Sequence, residues 1–340
     1  MPSGRSYLAR MNRVFSGIQP SGELHIGNYL GAVRNWVALQ SQYECIFCIV
    51  DLHAISQPYD PKLLPERTME MAAGLLAAGL DPEKCTLFVQ SHVAEHAELA
   101  WALSAVAPLG ELERMTQFKD KSAREETVPA ALLNYPVLQA ADILLYRADK
   151  VPVGEDQLQH LELSREVARR WNARFGEEFF PEPQPLLSPA KRIVGLDGNA
   201  KMSKSLGNTI GVLDGPDVIW EKLRPAVTDP ARKTKKDPGN PDVCNIYHLH
   251  ELFSTPDQVT HVAHQCRTAG WGCLDCKRLL ADNIIAALAP IRERAADLKA
   301  HPERVREVLE HGAAHCRRLA GETMARVRDL MGFVPPFGAR

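Results

Sequence analysis

The chain has 340 residues, of which 45% are hydrophobic and 24% charged, and its formal net charge at pH 7 is −2. These values are typical of a globular protein with a sizeable core, and any nucleic-acid-binding surface must be local because the global charge is near neutral. No apolar run approaches the roughly 20 residues of a membrane-spanning helix. The first residues lack the apolar core of a secretory leader, and together with the eight cysteines they predict a reducing, cytoplasmic compartment, with residues 1–12 as a loose extension.

The first chemical signal is the stretch VFSGIQPSGELHIGN, which occupies residues 14–28. Val14 and Phe15 predict a strand, a Pro-Ser-Gly turn ends it, and an apolar helical pattern begins after His25. The first N–H groups of a helix are unpaired and carry partial positive charge, so such a helix start can bind phosphate, and His25 and Asn28 can donate further hydrogen bonds. The alternative is an ordinary strand-to-helix turn with polar residues on it.

Apolar strands alternate with helical patterns through the first half of the chain. Residues 45–50 and 86–89 are unbroken apolar runs, as in strands that are buried on both faces, and each is followed by a helical pattern. This alternation predicts an α/β fold with a doubly wound parallel sheet. Cys45 and Cys48 point to opposite faces of one strand, so we interpret them as core residues rather than as a redox pair.

Two later segments bear on the site. Residues 110–127 are polar and charged and predict an excursion from the sheet, either a lid or a subunit contact. The sheet pattern returns with an amphipathic helix over 137–146, which carries Asp142, and with a short strand over 151–153. Ligands of open parallel sheets bind beyond the carboxyl ends of the strands, where we expect Gln19, His53, Gln90 and residues 154–157.

The second half of the chain opens with a linker and a basic loop. Residues 181–189 (PEPQPLLSP) predict a stiff linker, and residues 192–194 predict a last strand. The loop over 198–208 contains KMSKS, whose lysines and serines suit an anion, although a solvated basic turn is the commoner fate of such runs. From residue 216 onward only helices are predicted, with a break at Pro290, and their basic excess suits either phosphate contacts or a solvated helix face.

Four cysteines in the helical half have the spacing C-x21-C-x6-C-x2-C: Cys244, Cys266, Cys273 and Cys276. Cysteines are often simply buried hydrophobic residues, but the last two fall in WGCLDC, a predicted turn where burial is not expected. Four thiolates suit a 4Fe–4S cluster or Zn²⁺, although zinc sites usually have two C-x-x-C pairs and this segment has one. Four histidines nearby are candidate zinc ligands: His248, His250, His261 and His264.

HIGN at 25–28 and KMSKS at 201–205, in this order around a doubly wound pattern, resemble the two signatures of class I aminoacyl-tRNA synthetases. Further segments resemble the bacterial tryptophanyl members of that class: FSGIQPSG at 15–22, GELERMTQFK at 110–119, ADILLY at 141–146 and PVGEDQ at 152–157. The match extends from about residue 13 to the C-terminus. The related tyrosyl enzymes usually have serine where Glu155 stands, which favours tryptophan.

This resemblance implies an ATP-driven reaction. The tryptophan carboxylate attacks the α-phosphate to give tryptophanyl-adenylate and pyrophosphate, and the aminoacyl group then passes to the 2′-OH of the terminal adenosine of tRNA(Trp). The attacking group is already an anion, so catalysis needs positioning and charge stabilisation rather than a strong base. The residues implied as catalytic are all hydrogen-bond donors: His25, Asn28, Lys201 and Lys204.

By the same resemblance, ATP binds with Mg²⁺ bridging its phosphates. The triphosphate is expected against Gln19 and the HIGN helix start, the ribose hydroxyls on Asp156, and adenine against Ile193. The complete set implied for ATP is Gln19, Pro20, Ser21, Gly27, Asn28, Gly154, Glu155, Asp156, Ile193, Lys201, Met202, Ser203, Lys204 and Ser205.

The resemblance makes Asp142 the acceptor for the indole N–H of tryptophan. A carboxylate left unpaired in a buried pocket costs about 1–3 kcal/mol or more, so a substrate without that N–H is expected to be disfavoured. Gln139 departs from the methionine that some bacterial members have there. The other residues implied for tryptophan are Phe15, Gly17, His53, Tyr135, Gln139, Val153 and Gln157.

The resemblance also implies a homodimer, with an insertion around residues 95–145 as its main contact. The implied domains are a Rossmann-like catalytic domain at 13–205 and an all-helical tRNA anticodon-binding domain at 206–340, whose last helix packs back on the catalytic domain. Some tryptophanyl-tRNA synthetases carry a 4Fe–4S cluster at closely similar cysteine spacing, so we favour that cluster over Zn²⁺. Two other functions stay open: a non-catalytic RNA-binding paralogue, and another HxGH-type nucleotidyltransferase.

Overall fold

The computed structural model describes residues 12–122, 127–154, 157–187 and 193–335. Its centre is a five-stranded sheet in which every strand is parallel to its neighbours. The strands are β1 (Arg13–Ile18), β2 (Glu44–Ile49), β3 (Cys85–Val89), β4 (Lys150–Val153) and β5 (Gln184–Leu187).

The order of the strands across the sheet is β3-β2-β1-β4-β5. The chain therefore winds outward on one side of β1 and then returns to begin again on its other side. In such a sheet a crevice opens at the carboxyl ends of the two strands where the winding reverses, here β1 and β4. This order confirms the predicted doubly wound parallel sheet, and it places the segments that follow β1 and β4 side by side.

Alternate residues of each strand face opposite helical layers, because the side-chain period of a strand is two. In β1, Val14 belongs to one apolar cluster and Phe15 to the other. In β2, Phe47 and Ile46 divide in the same way. Both faces of the central strands are therefore buried from solvent. This explains why their sequences are continuously apolar and do not alternate between apolar and polar residues.

Helices follow the strands through the first half of the chain. They are α1 (Ile26–Asn28), α2 (Arg34–Leu39), α3 (Asp51–Ala54), α4 (Leu64–Ala77), α5 (Glu95–Ser104), α6 (Leu109–Arg114), α7 (Thr116–Ser122), α8 (Ala130–Leu145) and α9 (Leu158–Phe175). A π-helical turn at Tyr29–Val33 joins α1 to α2. The described part of the predicted excursion at 110–127 is itself helical, since α6 and α7 occupy it.

From residue 216 onward the described part of the chain consists of helices and the loops that join them. Its helices are α10 (Pro216–Leu223), α11 (Asn245–Phe253), α12 (Pro256–Arg267), α13 (Cys273–Ala300) and α14 (Pro302–Leu330). The helix α13 packs on α4, and α14 packs on β3 and α5. A β-carbon on Gly312 would lie 2.0 Å from the carbonyl oxygen of Leu87, so only glycine lets α14 approach β3 this closely. Within the described ranges, no helix has both the length and the apolar composition needed to cross a membrane.

Two local predictions are wrong. The segment at 181–189, predicted as a linker, contains the edge strand β5, where Pro185 is tolerated because one side of an edge strand has no neighbour. The predicted break at Pro290 does not occur, since α13 continues through it. Proline removes the N–H that would donate to the carbonyl oxygen of Ala286, and the packing of α13, whose Leu288 and Ile291 are buried, outweighs that local cost.

Candidate functional site

His25 caps the helical turn that follows β1. Its Nδ1 accepts a hydrogen bond from the backbone N–H of Asn28 at 3.3 Å, and the side-chain oxygen of Asn28 accepts one from the backbone N–H of His25 at 3.5 Å. A ring nitrogen that accepts from an N–H carries no proton, so the proton of the neutral ring lies on Nε2. The cap therefore leaves Nε2 as the donor that His25 offers to a ligand.

The charge state of His25 is set by its surroundings. Burial lowers the pKa of His25 to about 4, helped by the positive charges of Lys204 and Lys201. The ring is therefore neutral near pH 7, with one N–H to donate. A group that is protonated only near pH 4 is too weak a base to serve as a general base at neutral pH, but it is a sound hydrogen-bond donor.

The KMSKS loop lies directly over the HIGN turn. The backbone N–H of Ile26 donates to the carbonyl oxygen of Ile210 at 2.9 Å, just beyond the loop. Met202 is buried, and a β-carbon on Gly27 would lie 3.2 Å from Met202 Cβ and 2.9 Å from His25 Nδ1. Glycine at position 27 therefore lets the two signature segments touch, although they are far apart in the sequence.

The KMSKS loop is anchored at both ends. Lys201 forms an isolated antiparallel bridge with Val194, which is the pairing that the structure shows in the described part of the predicted last strand. The backbone N–H of Ser203 donates to Asn208 Oδ1 at 2.7 Å, and Asn208 Nδ2 donates to Asp197 Oδ2 at 3.0 Å. Asn208 is thus a supporting residue that the sequence did not single out.

Lys204 lies against the Pro-Ser-Gly turn at the end of β1. Its Nζ is 3.1 Å from the place where a β-carbon on Gly22 would stand, and Gly22 has a φ of +112° that favours glycine. Burial lowers the pKa of Lys204 to about 8, with a raising contribution from Glu23 and a lowering one from Arg67. Lys204 is therefore half-buried and loses its proton more easily than an exposed lysine does. A bound anion would stabilise the protonated form.

The other residues implied for ATP lie around this closed pair of segments. Gln19 and Ser21 are exposed after β1, Pro20 is buried between them, and Gly154 is exposed after β4. Ile193 is buried, and its carbonyl oxygen accepts from the N–H of Met202 at 3.0 Å. Three predictions lie outside what the structure describes: Glu155, Asp156 and the side chain of Ser205.

Asp142 is buried on α8 and is held by three side chains. Oδ1 accepts from Gln90 Nε2 at 2.6 Å and from His96 Nδ1 at 2.6 Å, and Oδ2 accepts from His53 Nε2 at 2.7 Å. Burial raises the pKa of Asp142, but His53 and the hydrogen bond from His96 outweigh it, and the pKa is lowered. The carboxylate is ionised and partnered, so the expectation of an unpaired buried carboxylate is wrong in that detail.

The remaining residues implied for tryptophan surround Asp142 or the crevice. Tyr135, Gln139 and Asp142 lie at i, i+4 and i+7 of α8 and so share one helix face. The Tyr135 hydroxyl contacts His160 Nε2 at 2.7 Å. Phe15 is buried and stacks on Tyr146 with ring centroids 5.6 Å apart. Gly17 and Val153 lie near the ends of β1 and β4, and Gln157 begins the turn into α9.

Sequence reasoning missed the part that Gln90, His96 and Tyr146 play around Asp142. Gln90 was expected at the crevice, but not as a hydrogen-bond donor to a carboxylate. His96 lies in an apolar helix, and the only available signal was a histidine on the buried face of α5 soon after a strand end. Its partner is 46 positions away in the chain, so the contact becomes visible only in three dimensions.

The four cysteines of the helical half line one small cavity, together with Arg232 and Trp271. Cys273 and Cys276 belong to the first turn of α13, which corrects the predicted turn, and Gly272 caps that helix. Burial raises the pKa of Cys276 to about 12, assisted by the three other thiols. Cys276 Sγ also lies 3.4 Å from His250 Nε2. In the described ranges, no three His, Cys, Asp or Glu side chains are arranged as a metal site.

The sheet order, the crevice beyond β1 and β4, and two signature segments closed on each other define a class I aminoacyl-tRNA synthetase fold. The family model described as tRNA synthetases class I (W and Y) matches residues 8–289. The chain therefore belongs to the tryptophan and tyrosine family of class I tRNA synthetases, as the sequence motifs predicted.

Within this family, the chain is similar to the tryptophan enzymes. The chain is 55% identical to the tryptophan–tRNA ligase of Deinococcus radiodurans over 329 residues, which cover 95% of this chain and 99% of that protein. It is 48% identical to the tryptophan–tRNA ligase of Caldanaerobacter subterraneus, with the same coverage. Among solved structures, the tryptophanyl-tRNA synthetase of Campylobacter jejuni complexed with ADP and tryptophan superposes with a TM-score of 0.86 at 35% identity, covering 94% of this chain and 100% of that one.

Proposed function

We propose that this protein activates L-tryptophan with ATP and transfers the tryptophanyl group from the adenylate to the 2′-OH of the terminal adenosine of tRNA(Trp). The observation that carries the proposal is the ionised, buried carboxylate of Asp142, which is held by donors that follow β2 and β3 at the carboxyl ends of these strands. A carboxylate in that position accepts a hydrogen bond from an indole N–H, which phenylalanine does not have. The identity to tryptophan–tRNA ligases over nearly the whole chain supports the same substrate.

Catalysis by these residues rests on stabilising negative charge. The tryptophan carboxylate is the nucleophile, so the protein supplies donors and cations to the phosphoryl group and the leaving pyrophosphate. His25 donates through Nε2–H, while Lys201 and Lys204 bring positive charge from the loop above it. The proposed triphosphate site between the two segments has five further residues around it: Gln19, Ser21, Gly27, Asn28 and Ser203. The donors and cations of the two segments suit phosphate oxygens rather than a metal ion, so Mg²⁺ would arrive with ATP and would add positive charge at its phosphates.

Tryptophan lies in the crevice with its ring towards α8. Phe15, Tyr135 and Val153 supply its apolar walls. Gly17 lies near the end of β1, where its lack of a side chain lets Val50 pack closely, since a β-carbon would lie 2.6 Å from Val50 Cγ1. Gln139 lies between Tyr135 and Asp142 on the same face of α8 and offers an amide to the substrate. His53 and Gln157 complete the polar part of the slot.

The helical half, residues 206–340, serves tRNA in this proposal, with the catalytic half at 13–205. Three exposed lysines project from the turn-rich loop that precedes α11: Lys233, Lys235 and Lys236. Cations on an exposed loop suit the phosphates of an RNA backbone. The packing of α14 on β3 ties the tRNA-binding half to the catalytic sheet.

We propose that the active protein is a homodimer joined through residues around 95–145. Trp101 on α5 is 83% exposed, Leu109 on α6 is 59% exposed and Val128 is 40% exposed, so this segment of the chain presents several large apolar side chains to solvent. A second copy of the chain is the partner that covers them. Light scattering should show a dimer for the native protein and a monomer for Trp101→Glu, and a native monomer would contradict the interface.

We further propose that Cys244, Cys266, Cys273 and Cys276 hold a 4Fe–4S cluster, with Zn²⁺ as the alternative. All four line one cavity and offer sulfur donors, which would have to move closer together to ligate a cluster; once bound, the cluster would cross-link α12, α13 and the turn before α11. Protein purified without oxygen should be brown and contain iron and sulfide. Cys276→Ala should lose the colour, whereas Cys85→Ala, in β3, should keep it. A colourless native protein would contradict the cluster, and stoichiometric zinc would then replace it.

The reaction itself is tested by two assays on one preparation. Tryptophan should be required for ATP–pyrophosphate exchange, and tRNA(Trp) should then accept labelled tryptophan. Retained tRNA binding without any exchange would instead support a non-catalytic RNA-binding protein. Since the substrates are those of translation, and the eight cysteines form no disulfide in the structure, we place the protein in the cytoplasm.

A further inference from the structure

The carboxylate of Asp142 has one hydrogen-bonding position left. Each carboxylate oxygen accepts two hydrogen bonds, and Oδ1 already takes two, from Gln90 Nε2 and His96 Nδ1. Oδ2 takes one among the described residues, from His53 Nε2. The free position is therefore on Oδ2, and the donors on Oδ1 fix the direction in which the carboxylate presents it.

A second layer of contacts fixes His96. Its Nδ1 faces an ionised carboxylate and so donates to it, which leaves Nε2 to accept a hydrogen bond from the Tyr146 hydroxyl at 2.7 Å. Burial raises the pKa of Tyr146, so its hydroxyl keeps that proton at physiological pH. The opposite tautomer would turn the Nδ1 lone pair towards the negative Oδ1, which is electrostatically unfavourable.

The rings of this layer have little freedom to move. His96, Phe88 and Tyr146 are fully buried, and the His96 ring lies against both neighbours, at 5.7 Å from the centroid of Phe88 and 5.4 Å from that of Tyr146. Phe15 stacks on the far part of Tyr146. Side chains packed on every side keep their rotamers, so the hydrogen bonds are already formed before any substrate arrives.

The chain of contacts continues into the C-terminal helix. The Tyr146 hydroxyl lies beside the thiol of Cys316 on α14. Cys316 lies one helical turn after Gly312, where α14 meets β3. Hydrogen bonds therefore join Tyr146 through His96 to Asp142, and the Tyr146 hydroxyl that begins this series faces α14.

We propose that His96 and Tyr146 are positioning residues for amino-acid specificity, which hold Asp142 so that only Oδ2 is open to the indole N–H. The inference rests on the proposed role of Asp142 in tryptophan recognition and adds two residues that act through it. Neither residue needs to touch the substrate. Their contribution appears as discrimination between a side chain that donates an N–H and one of the same shape that does not.

The probes are tryptophan and its benzothiophene analogue, in which sulfur replaces the indole N–H. The ratio of kcat/KM for the two, measured by ATP–pyrophosphate exchange, reports the hydrogen bond to Asp142 and little else. Tyr146→Phe should lower the ratio about tenfold while the KM for ATP stays unchanged, because it leaves the buried Nε2 of His96 without a donor and so loosens the hold of the ring on Asp142. His96→Leu should lower it further, and His96→Asn, whose amide can donate from the Nδ1 position, should restore part of it.

Matched variants separate this inference from the function on which it rests. Tyr43→Phe removes a tyrosine hydroxyl that lies outside the Asp142 neighbourhood, and it should leave the ratio at the native value. Asp142→Ala should abolish discrimination, and a native ratio in that variant would overturn the proposed function together with the inference. If Asp142→Ala loses discrimination but Tyr146→Phe and His96→Leu change both substrates equally, His96 and Tyr146 only stabilise the fold and the inference is wrong.

Discussion

The backbone N–H of Asn28 donates to Nδ1 of His25 at 3.3 Å, and this one contact decides what the histidine does. The bond requires an unprotonated Nδ1, and the lowered pKa of His25 keeps the ring neutral, so a single N–H on Nε2 remains to point at a ligand. The residue is built as a hydrogen-bond donor to phosphate and not as a base.

His25→Asn tests this role. Asparagine keeps a good helix cap but cannot reach the place of Nε2, so exchange should fall about a hundredfold with an unchanged melting temperature. His25→Gln, whose amide nitrogen extends to nearly the position of Nε2, is the matched variant and should recover part of the rate. Native exchange by His25→Asn would show that Nε2 does not contribute.

Lys204 should give the reaction an alkaline limit. In the free enzyme the pKa of Lys204 is lowered to about 8, so the lysine loses its charge as the pH rises through that value. The kcat/KM for ATP reports the free enzyme and should fall above about pH 8. In Lys204→Arg the charge persists and the fall should move to higher pH. Identical profiles for the two proteins would mean that another group sets the limit.

Gly312 should govern the docking of α14. A β-carbon there would lie 2.0 Å from the Leu87 carbonyl oxygen, so Gly312→Ala must push the helix away from β3 and should cost about 1–3 kcal/mol of stability. Gly321→Ala is the matched control on the same helix, because its β-carbon would meet no atom within 4 Å. It should be neutral or stabilising by up to about 1 kcal/mol. Equal thermal melts for the two variants would contradict the close approach.

The sequence predicted an element best where a single local property, such as burial on both faces, determines which residue type is found there. Continuous apolar runs identified β2 and β3, because strands buried on both faces have no polar side. It was least informative at β5, an exposed edge strand with Gln184 and Pro185 that burial does not mark. It also missed the continuity of α13 through Pro290, since the packing of the helix offsets a local penalty that the sequence alone predicts.

The site likewise has features that the sequence predicted and features that only the fold shows. HIGN and KMSKS were visible as separate phosphate-binding candidates, but their contact at Gly27 and Met202 depends on the whole sheet that separates them in the sequence. Asp142 came from the family resemblance, whereas the three donors around it come from α3, α5 and the end of β3. Residues that hold a functional residue in place form no recognisable sequence motif, because they come from separate elements with no fixed spacing in the sequence.

The most direct test of the account is ATP–pyrophosphate exchange by the native protein and by Asp142→Ala, each with tryptophan, tyrosine or phenylalanine as the only amino acid. The native protein should exchange with tryptophan alone. Asp142→Ala should lose about a hundredfold or more of the tryptophan-dependent rate, since one buried hydrogen bond to a charged group is removed and its former donors lose their acceptor. Near-native exchange by that variant, or exchange by the native protein that needs no tryptophan, would contradict the assignment.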